Sequence, residues 1–293
     1  GSSGRVFPTA MKAAPLLRAW LKRLDALGVR FAPHHLWQGW ENGSLKFANG
    51  TSIEPDATLL ALGGASWPRL GSDGNWVKIL TDRSINISLL RPANSGFLTN
   101  WSEFFSSKFA GTPLKSVSLS HNGRFQHGEA MITAKGIEGG AIYALSADLR
   151  TSIENTGKAV LQIDLRPNMK KQELAKKLGP QGNNSFSNYL RKAGFPPITA
   201  SLLREVNLHE GDIAHNLKNI SLTLTATTGI ERAISSAGGI KLDELDKNLM
   251  LKKMPGVFAA GEMLDWEAPT GGYLLQACFS TAVAAAKGIN SWI

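Results

Sequence analysis

The sequence predicts an α/β fold: buried strands of an open parallel sheet in its first and last parts, with a largely β insert between them. Three observations carry this. Val257 to Ala260 is a run of apolar, small residues, as a strand covered on both faces should be, and Gly261-Glu262 follows it. A second apolar run, Asp56-Ala-Thr-Leu-Leu-Ala-Leu-Gly-Gly64, has the same character and also exits on glycine. Between about Leu89 and Ile234 the texture changes to short β-prone segments separated by turns. The expected divisions are therefore 1–88, 89–234 and 235–293.

Taken in order, Pro15 suits a first helical position and Gly28 a helix end. Between them Leu16, Leu17, Trp20, Leu21, Leu24 and Leu27 recur at helical spacing, a stripe expected to pack on a sheet as core. Val29-Arg30-Phe31 is expected to open a strand. Trp37 to Trp40 and Leu45 to Phe47 read as a small meander turning at Glu41-Asn-Gly43 and Asn49-Gly50. In the insert, Gly96–Thr99, Leu114–Leu119, Met131–Thr133, Val160–Leu165 and Ile220–Thr225 are strand candidates whose spacing suggests a β-barrel or sandwich. Residues 168 to about 217 turn helical and polar, a small cap of the kind that serves as a lid. Ser235 to Leu242, with Gly238-Gly239, returns to the first domain.

The chemistry concentrates at the end of the chain. Gly261 lets the backbone leave the sheet closely, and Glu262 stands at the strand's carboxyl end, where open α/β sheets bind ligands. The helix from Tyr273 points free N–H groups and a partial positive charge at whatever lies over its start. A carboxylate accepts from sugar hydroxyls; N–H groups at a helix start suit a phosphate or the electron-rich edge of a flavin. Together they fit a flavin dinucleotide better than a bare anion. The plain alternative is a strand–loop–helix with a surface glutamate.

The string Gly261-Glu-Met-Leu-Asp265, then Pro269-Thr-Gly-Gly-Tyr-Leu-Leu-Gln-Ala277, resembles the second FAD motif of two-dinucleotide-binding flavoproteins. Within them it is similar to the YhiN-like flavoproteins related to aminoacetone oxidase. Gly1-Ser-Ser-Gly-Arg-Val-Phe-Pro8, Ala65–Gly74 and Ile132–Leu145 resemble further strings of that family, although Gly1–Gly4 taken alone also reads as a cloning linker. The resemblance implies a Rossmann-like FAD-binding domain interrupted by a β-barrel-plus-helical insert. It implies an FAD-dependent oxidoreductase, with hydride passing from a small-molecule substrate to the flavin and NAD(P)H a candidate electron donor. Residues carried over by match are Gly63 and Gly64, Gly261 and Glu262, Gly271, Gly272 and Tyr273, with Gln276 one turn on and Arg5 near the flavin. Leu62 stands where the family has threonine, and Ala282 where glycine is common. No catalytic residue is nameable.

A flavoprotein of this type also needs a strand–Gly-x-Gly-x-x-Gly–helix unit. No such string occurs, so an N-terminally truncated member is expected, unable to hold FAD tightly by itself.

Composition bounds the rest. One cysteine in 293 residues excludes an internal disulfide framework, and the six histidines lack metal-ligand spacing. No metal, no membrane and a cytoplasmic location are expected. The formal net charge of +9 reads as a solvated basic surface or as attraction to an anion. The basic residues are scattered, with no arginine stripe interleaved with aromatics, so no nucleic-acid partner is expected. Two rivals stay open: a family remnant acting as a scaffold without flavin, and a basic nucleic-acid-binding protein.

Overall fold

The computed structural model describes residues 4–293. Of the opening string, Gly1 to Ser3 lie outside the described residues. The first part comprises α1 (Ala13–Ala26), a meander β1 (Trp37–Glu41), β2 (Ser44–Phe47) and β3 (Ser52–Ile53), then β4 (Thr58–Leu60), α2 (Trp76–Thr81) and β5 (Ile87–Ala93). The insert holds β6 (Phe97–Leu98), α3 (Glu103–Phe109), β7 (Pro113–His121), β8 (Arg124–Ile132), β9 (Gly136–Glu138), α4 (Gly140–Tyr143), α5 (Ser146–Thr156) and β10 (Ala159–Asp164). It continues through α6 (Lys171–Leu178), α7 (Phe186–Lys192), α8 (Pro197–Glu205), α9 (Ile213–Asn216), β11 (Ile220–Leu224) and β12 (Ala226–Thr227). The chain returns with β13 (Ser235–Ile240), β14 (Val257–Ala259) and α10 (Tyr273–Trp292).

The two apolar runs that end on glycine pair in parallel, Thr58 opposite Val257 and Leu60 opposite Ala259. The far side of β14 is closed by the 249–251 segment, whose Leu249 carbonyl accepts from the Ala259 N–H at 3.0 Å. The outer edge of β4 pairs with no strand among the described residues. Beside this pair, β13 runs antiparallel to β5. Leu60, Trp76, Leu80, Ile240, Val257, Ala259 and Met263 close one core here. A larger core fills the insert between its sheet and helices, around Phe97, Phe105, Leu119, Leu149, Leu161 and Leu202. Strands β10 and β11 bury alternate residues against it, as a half-covered sheet requires. Ser102 and Ser185 start α3 and α7 by accepting the Phe105 and Asn188 N–H groups.

Three expectations are corrected. The insert sheet is not a closed barrel: its seven strands run β11-β10-β7-β8-β9-β6-β12 with two free edges. Those edges are consecutive in sequence, so segment 220–227 bonds β10 at its start and β6 at its end, curling the sheet without a closing ladder. Alternation marks strands, but closure depends on shear, which alternation does not encode. Val29 to Phe31 forms no strand. The α1 stripe is not core: α1 buries no residue, and Leu16, Leu17, Trp20 and Leu21 are exposed. Its aromatic contact to the rest of the fold is Trp20 edge-on to Phe279 of α10, 5.6 Å between centroids. The periodicity was that of an amphipathic helix, and periodicity does not say what covers the apolar face.

Candidate functional site

The parallel pair brings the two glycine exits together. Gly63 and Gly64 follow β4, Gly261 and Glu262 follow β14, and the β13 residue Ser236 lies between them. Glu262 Oε1 accepts the Ser236 N–H at 2.8 Å, and Ser236 Oγ accepts the Ala65 N–H at 2.8 Å. A Cβ on Gly64 would stand 2.6 Å from the Ser236 Cβ and 3.2 Å from the Glu262 carboxyl carbon. Only glycine fits, because the β4 exit rides directly over both side chains. The Gly63 carbonyl is held by the Trp76 indole N–H at 3.0 Å.

This cluster leaves polar capacity facing Gly63. Glu262 Oε2 lies 4.0 Å, and Ser72 Oγ 3.4 Å, from where a Gly63 Cβ would be. The Ser72 hydroxyl is buried with no hydrogen-bond partner among the described residues. Buried hydroxyls normally find a partner, so an orphan beside the Gly63 turn marks a candidate position for a ligand atom.

The helix start forms the second part. Gly272 is the N-cap of α10, which carries no acidic residue in its first turn and no side-chain cap. Its first N–H groups therefore have no side-chain cap among the described residues. The Arg5 guanidinium lies over Gly271, its Nη2 2.7 Å from where a Cβ would stand. Tyr273 is exposed, and Gln276 turns its amide to Ser280 at 3.3 Å. The helix is tied to the first cluster further along: the Thr281 hydroxyl accepts the Gly261 N–H at 3.0 Å, and Cys278 Sγ lies 3.6 Å from the Gly261 Cβ position. Cys278 is five residues past Tyr273, so the helix start projects about 8 Å beyond that contact. Burial, and next the Glu262 carboxylate, push the Cys278 thiol above its ordinary pKa. This thiol is a poor nucleophile at neutral pH.

The glycine loop before α10 is anchored from the insert. Arg150 of α5, 4% exposed, forks onto Glu267 at 3.0 and 2.7 Å and donates to the Pro92 carbonyl at 2.6 Å. Asn94 Nδ2 donates to the Ser235 hydroxyl and to the Ala268 carbonyl, at 2.9 and 2.7 Å.

Thus Gly63, Gly64, Gly261 and Glu262 share one cluster, while Gly271, Gly272, Tyr273, Gln276 and Arg5 belong to the helix start. Sequence reasoning missed Ser236, Ser72, Trp76 and the Arg150–Glu267 clamp. Ser236 had a faint signal, a small-residue run before Gly238-Gly239; Trp76 and Arg150 had none. Within α10 a close approach lies at Gly288, where a Cβ would stand 2.7 Å from the Asn248 carbonyl oxygen and 3.0 Å from the ring of Phe258 in β14. Among the described residues no group of three or more His, Cys, Asp or Glu could hold a metal, and no helix is long and apolar enough to cross a membrane.

A parallel pair ending in glycine turns, with a carboxylate at one exit and a helix start nearby, defines a Rossmann-like α/β protein. The chain belongs to the family described as HI0933-like protein Rossmann domain, which matches residues 1–288. It is similar to the 3-dehydro-bile acid delta(4,6)-reductase of Clostridium scindens, 24% identical over 97% of this chain and 75% of that protein. It is also similar to the ribosomal RNA dihydrouridine synthase of Escherichia coli, 24% identical over 85% of this chain and 64% of that protein. A solved 3-ketosteroid delta1-dehydrogenase from Sterolibacterium denitrificans aligns at 13% identity over 88% of this chain and 58% of that one, with a TM-score of 0.38. The family and its curated oxidoreductase relatives support the general class of FAD-binding, Rossmann-like oxidoreductases.

Proposed function

We propose that this chain carries the flavin-facing and substrate-side parts of an FAD-dependent oxidoreductase acting on a small-molecule substrate. The observation that carries the reading is the cradle at Gly63-Gly64, with Glu262 Oε2 and the orphaned Ser72 hydroxyl turned toward it. These residues fit a flavin dinucleotide. Glu262 would hold a sugar-type hydroxyl, Ser72 would pair with a second polar atom, and the α10 N-terminus with Arg5 would face the electron-rich part of the cofactor. When bound, the flavin supplies the two-electron chemistry. The chain's own residues bind and orient. Ser236 fixes the Glu262 carboxylate, Trp76 fixes the Gly63 carbonyl, and the Arg150–Glu267 clamp sets the loop leading to Gly271.

The surface supports a further part of the reading. The outer edge of β4 pairs with no strand among the described residues, and Leu16 and Leu17 of α1 and Leu275 and Val283 of α10 are exposed. A strand–glycine turn–helix unit fits there, since parallel strands need helices on both faces. Such a unit would hold the part of FAD that Gly63 and Glu262 do not reach.

The test is to purify the full-length natural polypeptide and record its absorption spectrum, then titrate apoprotein with FAD. A flavin spectrum, with weaker FAD binding in Glu262→Gln, is expected. A colourless protein that takes up no FAD would overturn the reading and leave the scaffold alternative.

A further inference from the structure

A hollow of about 490 Å³ opens to solvent at the edge of the insert, where the β7–β8 turn meets α5 and the start of β10. It shares no residue with the glycine cluster. His121 and Ser152 line it together.

Three elements build this corner. Asn122-Gly123, both at positive φ, turn the chain from β7 into β8 and leave His121 opposite Arg124 as the last pair. The ladder between β7 and β10 stops at Ser120 opposite Gln162. Just beyond it the His121 ring, 6% exposed, takes the Val160 carbonyl, 2.9 Å from Nδ1. Half-buried Ser152 comes from α5, two residues after Arg150 and so about 200° round the helix from the loop clamp. Its hydroxyl lies 2.7 Å from His121 Nε2, and Asn122 Nδ2 donates to the same oxygen at 3.3 Å.

These contacts fix the protons. A carbonyl only accepts, so Nδ1 carries the ring proton, and Nε2 of the neutral ring is the acceptor. The Ser152 hydroxyl therefore donates to Nε2. A helical serine readily returns its hydroxyl to a carbonyl one turn back. Ser106 and Ser107 of α3 and Ser280 and Ser291 of α10 do so. Ser152 instead turns its proton to an imidazole that a third group orients. Hydroxyl, base and orienting acceptor in hydrogen-bonded series is the arrangement that activates a serine, whatever fold carries it. The same two bonds would satisfy a structural histidine, but that role does not call for an open hollow over the hydroxyl or for an amide donor beside its oxygen.

We infer that Ser152 and His121 form a hydrolytic dyad acting on short carboxylic esters, with Asn122 Nδ2 as donor to the oxyanion. Ser152 Oγ bonds to the acyl carbon while its proton passes to His121 Nε2. The ester C–O bond breaks, and the leaving alkoxide takes that proton. Water from the open hollow then adds to the acyl carbon and gives a proton to Nε2. The acid leaves as that proton returns to Ser152 Oγ. The bond from Nδ1 to the Val160 carbonyl holds the ring through both steps, and Val160, 40% exposed, lends the hollow an apolar wall for the acyl chain.

The experiment uses the full-length natural polypeptide, p-nitrophenyl acetate as substrate and an alkyl fluorophosphonate as covalent probe. Release of p-nitrophenolate and probe attached at Ser152, located by peptide mass spectrometry, are expected. Ser152→Ala should abolish labelling and lower hydrolysis about 100-fold, His121→Gln about as much, and Asn122→Ala about tenfold. Exposed Ser107→Ala should change neither. Ser152→Cys gives a readout independent of ester turnover: beside the imidazole, the introduced thiol should react with iodoacetamide about tenfold faster than it does when His121→Gln is added. Cys278, the chain's own thiol, is held above its ordinary pKa by burial and reacts slowly beside it. The inference is overturned if the parent neither hydrolyses the ester nor takes the probe, if Ser152→Ala behaves like the parent, or if the introduced thiol reacts equally fast with and without His121.

Discussion

Replacing Glu267 by glutamine should destabilise this protein well beyond the cost of losing an exposed ion pair. Arg150 is 4% exposed and gives two parallel hydrogen bonds to Glu267, whose side chain is 27% exposed. Taking one partner from a fully buried pair costs about 3–5 kcal/mol, because a buried charge is left uncompensated. Two features reduce that here. Glu267 is partly hydrated, and Glu154 stands 3.9 Å from Arg150 Nε as a second, weaker partner. The substitution also turns one acceptor into an amide that faces Arg150 Nη2 donor to donor. The net expectation is about 2–3 kcal/mol, or about 5–10 °C in Tm for a chain of this size. Arg150→Met should cost less, about 1–2 kcal/mol, since it strands only a partly hydrated carboxylate and the Pro92 carbonyl. Arg150→Met with Glu267→Leu should recover most of the loss. Urea unfolding of the parent, Arg150→Met, Glu267→Leu and their combination forms a double-mutant cycle, with Glu267→Gln measured beside it. A Glu267→Gln loss below about 0.5 kcal/mol, in the range of an exposed pair, would refute the claim that the insert clamps the glycine loop.

Gly64→Ala should lower stability by about 1–3 kcal/mol by overpacking Ser236, and adding Ser236→Gly should restore part of it; equal unfolding midpoints for Gly64→Ala and the parent would contradict the tight approach. Glu262→Gln removes a negative charge beside Cys278, so its thiol pKa should fall and its alkylation by iodoacetamide at mildly alkaline pH should quicken; an unchanged rate would place Glu262 elsewhere. Burial pushes the Glu244 carboxyl up, but Lys253 and Asn86 outweigh that and hold it below the usual carboxylate range. A depressed folded pKa gives stability that is present above the unfolded value, about 4.3, and is lost as pH falls through the folded one. Glu244→Gln should therefore flatten the acid limb of the stability curve below about pH 4, and an unaltered limb would show that the pair contributes nothing.

Much of the architecture was legible because local pattern and turn chemistry agreed. Asn42 and Gly43 adopt the positive φ that a two-residue hairpin needs, and the expected meander forms around them. The helices at Lys171 and Phe186 begin after the polar N-caps Lys170 and Ser185, and the one at Pro197 begins on the Pro196-Pro197 pair, all within the stretch expected to turn helical. The two glycine-ended runs pair in parallel, but only β14 is fully buried; β4, with an open outer edge, leaves Leu59 exposed.

The sequence by itself determined the local elements, the glycine exits with Glu262 beside them, and the family that this combination marks. These are written in residues next to one another, where periodicity, turn preference and motif operate. Only the tertiary structure decided that the insert sheet curls without closing, that the α1 stripe stays uncovered, and that Ser236 steadies Glu262. The Arg150–Glu267 pair, 117 residues apart in sequence, and the Ser152–His121 pair, 31 residues apart, belong to the same class. Their energies come from burial and from charged and polar groups brought together across long chain separations, and such contacts leave no periodic trace in the sequence that encodes them.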